Sequence, residues 1–93
     1  MTMHLDHLIV PARDRRASAK LLGRIFDVPW SETGVGPVCP VYINDGLTLE
    51  MDQADGAFPV LHYAFRMGDA AFDALMVRLH DLHIAYRSLP NWP

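Results

Sequence analysis

Two histidines stand in matching places in this chain. His7 precedes Asp14 by the interval that separates His62 from Asp69, and each lies in a short apolar run just ahead of an amphipathic stretch. Imidazole changes its protonation near neutral pH and is the commonest side-chain ligand for metals. Glu50 lies on the polar side of an alternating run, where a carboxylate can hold a cation or carry a proton, and Thr48 shares that side. Arg66 falls on the same strand face as His62, suited to an anionic substrate group or to a surface ion pair. The single cysteine, Cys39, excludes an internal disulfide and a cysteine-based zinc site, and between Pro37 and Pro40 it reads as a passive small residue. His4 lies near the start of the chain, and His80 and His83 sit at a helix end, where a cation is favoured; all three take structural readings.

Those side chains need elements to aim them. Residues 5–10 form an apolar run stopped by Pro11, the pattern of a buried strand, with Leu5, His7 and Ile9 on one face and Asp6, Leu8 and Val10 on the other. Asp14 is placed to cap a helix whose stripe would be Ala17, Leu21, Leu22, Ile25 and Phe26, ending at Asp27, with Gly23 a mild weakness inside it. Residues 31–37 read as a turn. Residues 38–44 read as a strand in which Pro40 implies an edge or a bulge, and Asn44, Asp45 and Gly46 mark a tight hairpin into a strand at 47–52. There, Leu47, Leu49 and Met51 alternate with Thr48, Glu50 and Asp52. After a loop at Asp55, Gly56 and Pro59, residues 60–67 read as a strand with Leu61, Tyr63, Phe65 and Met67 opposite Val60, His62, Ala64 and Arg66. Asp69 is then expected to cap a second helix with a buried stripe of Phe72, Leu75, Met76, Leu79 and Leu82, followed by a last strand at 84–88.

Composition sets the outer limits. The 93 residues suffice for one domain, and with 51% hydrophobic and 20% charged residues the chain can bury a core. A net charge of −3 argues against nucleic acid or an anionic membrane as the main partner. No apolar run is long enough to span a bilayer and the start lacks the pattern of a signal peptide, so a cytoplasmic location is expected.

Strand, helix and exit recur with a period of about 55 residues, the sign of an internal duplication. In the first copy the strand carrying Glu50 comes last; the equivalent point of the second copy falls beyond Pro93, so the second copy is expected to be incomplete at its C-terminal end. On the segments LDHLIVPARDRRASAKLLGRIFDVPW, LTLEM and LHYAFRMGDAAFDALMVRLHDLHIAYRS the chain resembles the vicinal oxygen chelate group, which includes glyoxalases, bleomycin-resistance proteins and extradiol dioxygenases. The resemblance implies an α+β fold of duplicated βαβββ modules forming a curved, mostly antiparallel sheet, with a first module at 1–53 and a partial second module, βαβ, at 59–93. Three features depart from the family pattern: Leu21 and Leu22 stand where an aromatic pair is common, Asp27 stands where a glycine usually ends the first helix, and His83 stands where one ends the second.

The resemblance also implies a metal site. Carried over position by position, its ligands are His7, Glu50 and His62, while the family's fourth ligand, a glutamate in the last strand, has no counterpart in these residues. Two imidazoles and a carboxylate suit a divalent ion such as zinc, nickel, iron, manganese or cobalt, and leave positions open for two neighbouring oxygens of a small substrate. Glu50 would then take part in catalysis as well as ligation, with Thr48 and Arg66 binding substrate. Lyase or isomerase chemistry of the glyoxalase kind and dioxygenase chemistry both remain open. The other reading is metal-free sequestration of a drug or metabolite in a groove lined by Trp30, Tyr42, Tyr63 and Phe65. Plain structural roles are the alternative for each ligand: a hydrogen-bonded strand histidine, a solvated glutamate. Because a sheet short of strands exposes edges, a homodimer or higher oligomer is expected.

Overall fold

A computed structural model describes residues 2–87. Five elements follow in order: β1 (His7–Ala12), α1 (Arg15–Phe26), β2 (Val38–Asn44), β3 (Leu47–Gln53) and α2 (Asp69–Asp81). The strands form one sheet in the order β1-β3-β2, with β1 parallel and β2 antiparallel to β3. The fold is α+β, and among the described residues its sheet has one parallel and one antiparallel pairing. Parallel neighbours need a long crossover, which α1 and β2 together supply.

Local chemistry sets the first helix. Asp14 is extended, and its carboxylate accepts the Ala17 backbone N–H at 3.0 Å, the expected N-cap. Asp27 ends the helix in the left-handed conformation, φ 55°, and the Val28 N–H donates back to the Gly23 carbonyl at 3.0 Å. The second helix closes in the same way, with His83 at φ 56° and Ile84 donating to Leu79 at 2.9 Å. The internal repeat is therefore written into two equivalent helix exits, each held by a residue other than glycine. The entry to α2 differs from expectation: Gly68 takes the N-cap position with no side-chain bond, and Asp69 lies in the first turn, where its charge faces the positive end of the helix.

The core lies between α1 and one face of the sheet. Ala12, Ala19, Cys39, Val41, Leu49 and Met51 are buried there, with Leu8, Val10, Leu22, Val28, Trp30, Ile43 and Phe65 packed around them. Alternation in β3 reads out as expected, Leu49 and Met51 turning inward. In α1 the expected stripe holds at Ile25, which is buried, and at Leu22 and Phe26, which are half-buried, but it shifts elsewhere: Ala17 and Leu21 are exposed, and Ala19 and Gly23 are buried in their stead. Gly23 explains the shift, since an added Cβ would lie 2.9 Å from Cδ1 of Trp30. The missing side chain makes room for the indole, a contact that apolar periodicity does not register. Pro40 sits in β2 at the edge of the sheet, where the lack of an N–H costs no ladder bond.

Among the described residues, two expected strands do not form. Residues 60–67 carry the alternating pattern, and Phe65 and Met67 are half-buried while Ala64 and Arg66 are exposed, yet no described strand pairs with them. Residues 84–87 are likewise unpaired, and the rest of that expected strand lies outside the described residues. Alternation specifies faces; a strand also needs a neighbour to bond. The α2 stripe is corrected for the same reason: Leu75, Met76, Leu79 and Leu82 are half-buried rather than buried, and Phe72 is 51% exposed, because no strand among the described residues lies beneath them. Between β1 and α1, Arg13 fixes the loop after β3 by donating to the Ala54 carbonyl at 3.0 Å and to the Gly56 carbonyl, and its guanidinium stands over the Phe58 ring at 4.8 Å.

Candidate functional site

The face of the sheet away from α1 is open over β1 and β3 and covered at Val38 and Pro40 of β2, and register orders it into rows. His7, Thr48 and Tyr42 stand side by side across the three strands; Ile9, Glu50 and Pro40 form the next row, and Pro11, Asp52 and Val38 the third. Successive residues alternate faces, so His7, Thr48 and Glu50 share the open side, with His7 diagonal to Glu50. Thr48, Glu50 and Asp52 are half-buried there, and Ile9 and Tyr42 are exposed at 52% and 38%. Sequence alternation placed Glu50 and Thr48 on this face correctly. It did not reveal the apolar flanks that Ile9 and Pro40 give Glu50, since those depend on strand order.

His7 is oriented by its neighbour. Its Nδ1 lies 2.9 Å from Oδ2 of Asp6, and both side chains are largely exposed. The tautomer that donates from Nδ1 leaves the Nε2 lone pair free, an arrangement that recurs in metal-ligating histidines. The Asp6 hydrogen bond, with the negative charge of Glu50 behind it, raises the His7 pKa above its ordinary 6.5. Asp6 was missed in the sequence because strict alternation sends it to the opposite face from His7. It precedes the first residue of β1, and only its carbonyl is in the ladder, accepting from the Thr48 N–H at 3.0 Å.

His62 and Arg66 lie elsewhere in the chain's architecture. His62 is exposed on the unpaired segment before α2, and Arg66 lines a cavity with Phe26, Phe65 and Arg78 whose lining includes neither His7 nor Glu50. Among the described residues, no group of three His, Cys, Asp or Glu side chains could hold a metal ion. The pair that this arrangement brings together is His7 and Glu50. Cys39 is 1% exposed, its thiol directed to the Glu32 carbonyl at 3.2 Å, as a passive core residue would be. Trp30 packs against the core, and Tyr42 belongs to the open face.

The arrangement has counterparts among solved structures. It superposes on the oxidase ChaP-H2 with a TM-score of 0.82 and 36% identity over 89% of this chain, and on the oxidase ChaP-H1 with 0.78 and 32% over 87%. The chain has the vicinal oxygen chelate fold. A third superfamily structure, the fosfomycin resistance protein FosX from Listeria monocytogenes, matches with a TM-score of 0.71 over 99% of this chain and 76% of its own; at 20% identity it supports the fold alone. The chain spans 65% of ChaP-H2 and 64% of ChaP-H1, just under two thirds of their length. No protein-family model matches it, and no curated protein does. Among the described residues, no helix is long and apolar enough to cross a membrane.

Proposed function

We propose that the open face binds a small oxygenated molecule through a divalent metal, with His7 and Glu50 as two of the ligands and His62 as the third. The observation that carries this reading is the His7–Glu50 diagonal on adjacent strands, with Asp6 holding the imidazole so that Nε2 is free. A divalent ion bound there would act as a Lewis acid on two neighbouring substrate oxygens. Glu50, flanked by Ile9 and Pro40, meets less water than a carboxylate on an all-polar sheet, which strengthens its attraction for a cation. Thr48, between His7 and Tyr42, is placed to donate to a substrate oxygen through its hydroxyl. Arg66 enters this reading only with His62, since both lie on the segment at 60–67.

That segment has no strand partner, and the outer edge of β1 has none among the described residues. Pairing of the two, within the chain or between two copies of it, would bring His62 toward His7. A homodimer is the natural vehicle, as exposed edges favour association. The ChaP homologues are named as oxidases, which favours oxygen chemistry over the lyase alternative.

The second reading, metal-free binding of a small molecule, is favoured by the lack of three converging donors and by the exposed Ile9 and Tyr42. Elemental analysis separates the two. Protein stripped with chelator and reloaded should retain one divalent ion per site, and His7→Ala and Glu50→Gln should each lose it. Wild-type protein that retains no metal after reloading would sink the first reading and leave the second.

A further inference from the structure

On the helix side of the sheet, away from the rows that carry His7 and Glu50, a cavity of about 420 Å³ opens between the end of α1, the β2–β3 hairpin and the start of α2. We infer that it is a second ligand site, one that takes a small aromatic carboxylate. Its size falls within the range of small-molecule sites. Phe26, Ile43, Leu47, Phe65 and Leu75 supply apolar walls, and the two phenylalanine rings meet at a tilt of 56° with centroids 5.1 Å apart. Such a wall favours a flat ring stacked or tilted against it.

Charge selects the class of ligand. Arg66 and Arg78 both line the cavity, no acidic residue does, and neither arginine forms an ion pair with a carboxylate among the described residues. In a chain with 11 acidic and 8 basic residues, two arginines converging on one apolar hollow without a carboxylate form an electrostatic gap that an anion fills. Arg78 is held in place: its Nε donates to the Ile25 carbonyl at 2.6 Å, which fixes the stem and leaves the terminal amino groups for a ligand. Asp27 and Asp81 line a separate hollow with Arg24 on the other side of Arg78, outside ion-pair distance. Arg66 is exposed and able to swing over a bound carboxylate, completing a two-guanidinium clamp.

Titration calorimetry on the full chain with 1-naphthoate, and with the uncharged 1-naphthamide as its near-isostere, tests the inference. One naphthoate should bind per chain. The amide should bind about tenfold more weakly, and Arg66→Gln should weaken naphthoate by about the same factor without affecting the amide. Ala71→Leu, a helix-compatible substitution that fills the cavity, should abolish binding while near-ultraviolet circular dichroism stays native. His7→Ala should leave the affinity unchanged. Equal affinity for acid and amide, binding that survives Ala71→Leu, loss of binding in His7→Ala, or no binding by the wild type would each overturn the site. None of these outcomes depends on metal, so they are read apart from metal retention by His7 and Glu50; the two readings share only Arg66 and the segment that carries it.

Discussion

The Nε of Arg78 in α2 donates to the carbonyl oxygen of Ile25 in the last turn of α1 at 2.6 Å, joining residues 53 positions apart. A cation here satisfies one of the carbonyls that a helix leaves free at its end and meets the negative end of its dipole. No residue of α2 is fully buried, so this bond adds to the docking that half-buried Leu75, Met76 and Leu79 supply. Arg78→Met is expected to destabilise the protein by about 1–2 kcal/mol, within the range for a hydrogen bond to a charged group. It should also speed amide exchange selectively in α2. Unchanged exchange in that helix would show that the contact holds nothing.

Gly23→Ala pits two effects against each other. In a helix interior alanine is favoured over glycine by about 1 kcal/mol. Here the new Cβ would stand 2.9 Å from the Trp30 ring and 3.2 Å from the Val28 carbonyl, and overpacking of that kind costs about 1–3 kcal/mol. The net expectation is destabilisation, seen as a lower urea midpoint with fluorescence of Trp30 perturbed. A stabilised variant would mean that the indole moves aside freely.

Leu49→Ala and Ile9→Ala test which face is the core. Leu49 is 3% exposed and Ile9 52%. Truncating the buried leucine should cost about 2–5 kcal/mol, a large part of the stability of so small a domain, and truncating the open-face isoleucine less than about 1 kcal/mol. Paired denaturation curves check the ratio, and equal losses would mean that the open face is covered in solution.

His7 should titrate above 6.5 when followed by NMR, because its hydrogen bond to Asp6 and the charge of Glu50 favour the imidazolium. Asp6→Asn should bring the midpoint down most, and Glu50→Gln by less. For a raised pKa, the stabilisation is fully present below the unfolded value and disappears as pH rises through the folded one. The same proton competes with a metal, so affinity at His7 should climb as pH passes the raised midpoint. A midpoint at 6.5 unaffected by Asp6→Asn would remove the orienting role of that carboxylate.

Among the described residues the outer edge of β1 and the segment at 60–67 have no strand partner, and the expected outcome is a homodimer at micromolar concentration. Sedimentation equilibrium checks the mass, and a monomer across that range would count against edge pairing and against His62 reaching His7 from another copy.

Much of the fold was legible residue by residue. Asp14 announced its helix through its capping chemistry, and the Asn44–Gly46 turn announced the hairpin. The alternation from Leu47 to Asp52 put Glu50 and Thr48 on the polar face. Asp27 and His83, in place of the usual glycines, both took the left-handed conformation. Less was legible where an element depends on a neighbour. The α1 stripe departs from apolar periodicity at Ala17 and Leu21 because Gly23 contributes by absence, and full cover of residues 60–67 and of the α2 stripe needs partners that the described residues do not provide.

By itself the sequence determined which residues cap, turn and alternate, because those properties arise from backbone sterics and hydrogen bonds within a few residues. Only the tertiary structure decided that β3 lies between β1 and β2, which set His7 diagonal to Glu50, let Asp6 steer the imidazole, and gathered Arg66 and Arg78 around one apolar hollow. Strand order and helix docking are settled by contacts between distant segments, whose energies appear only when the chain has closed on itself.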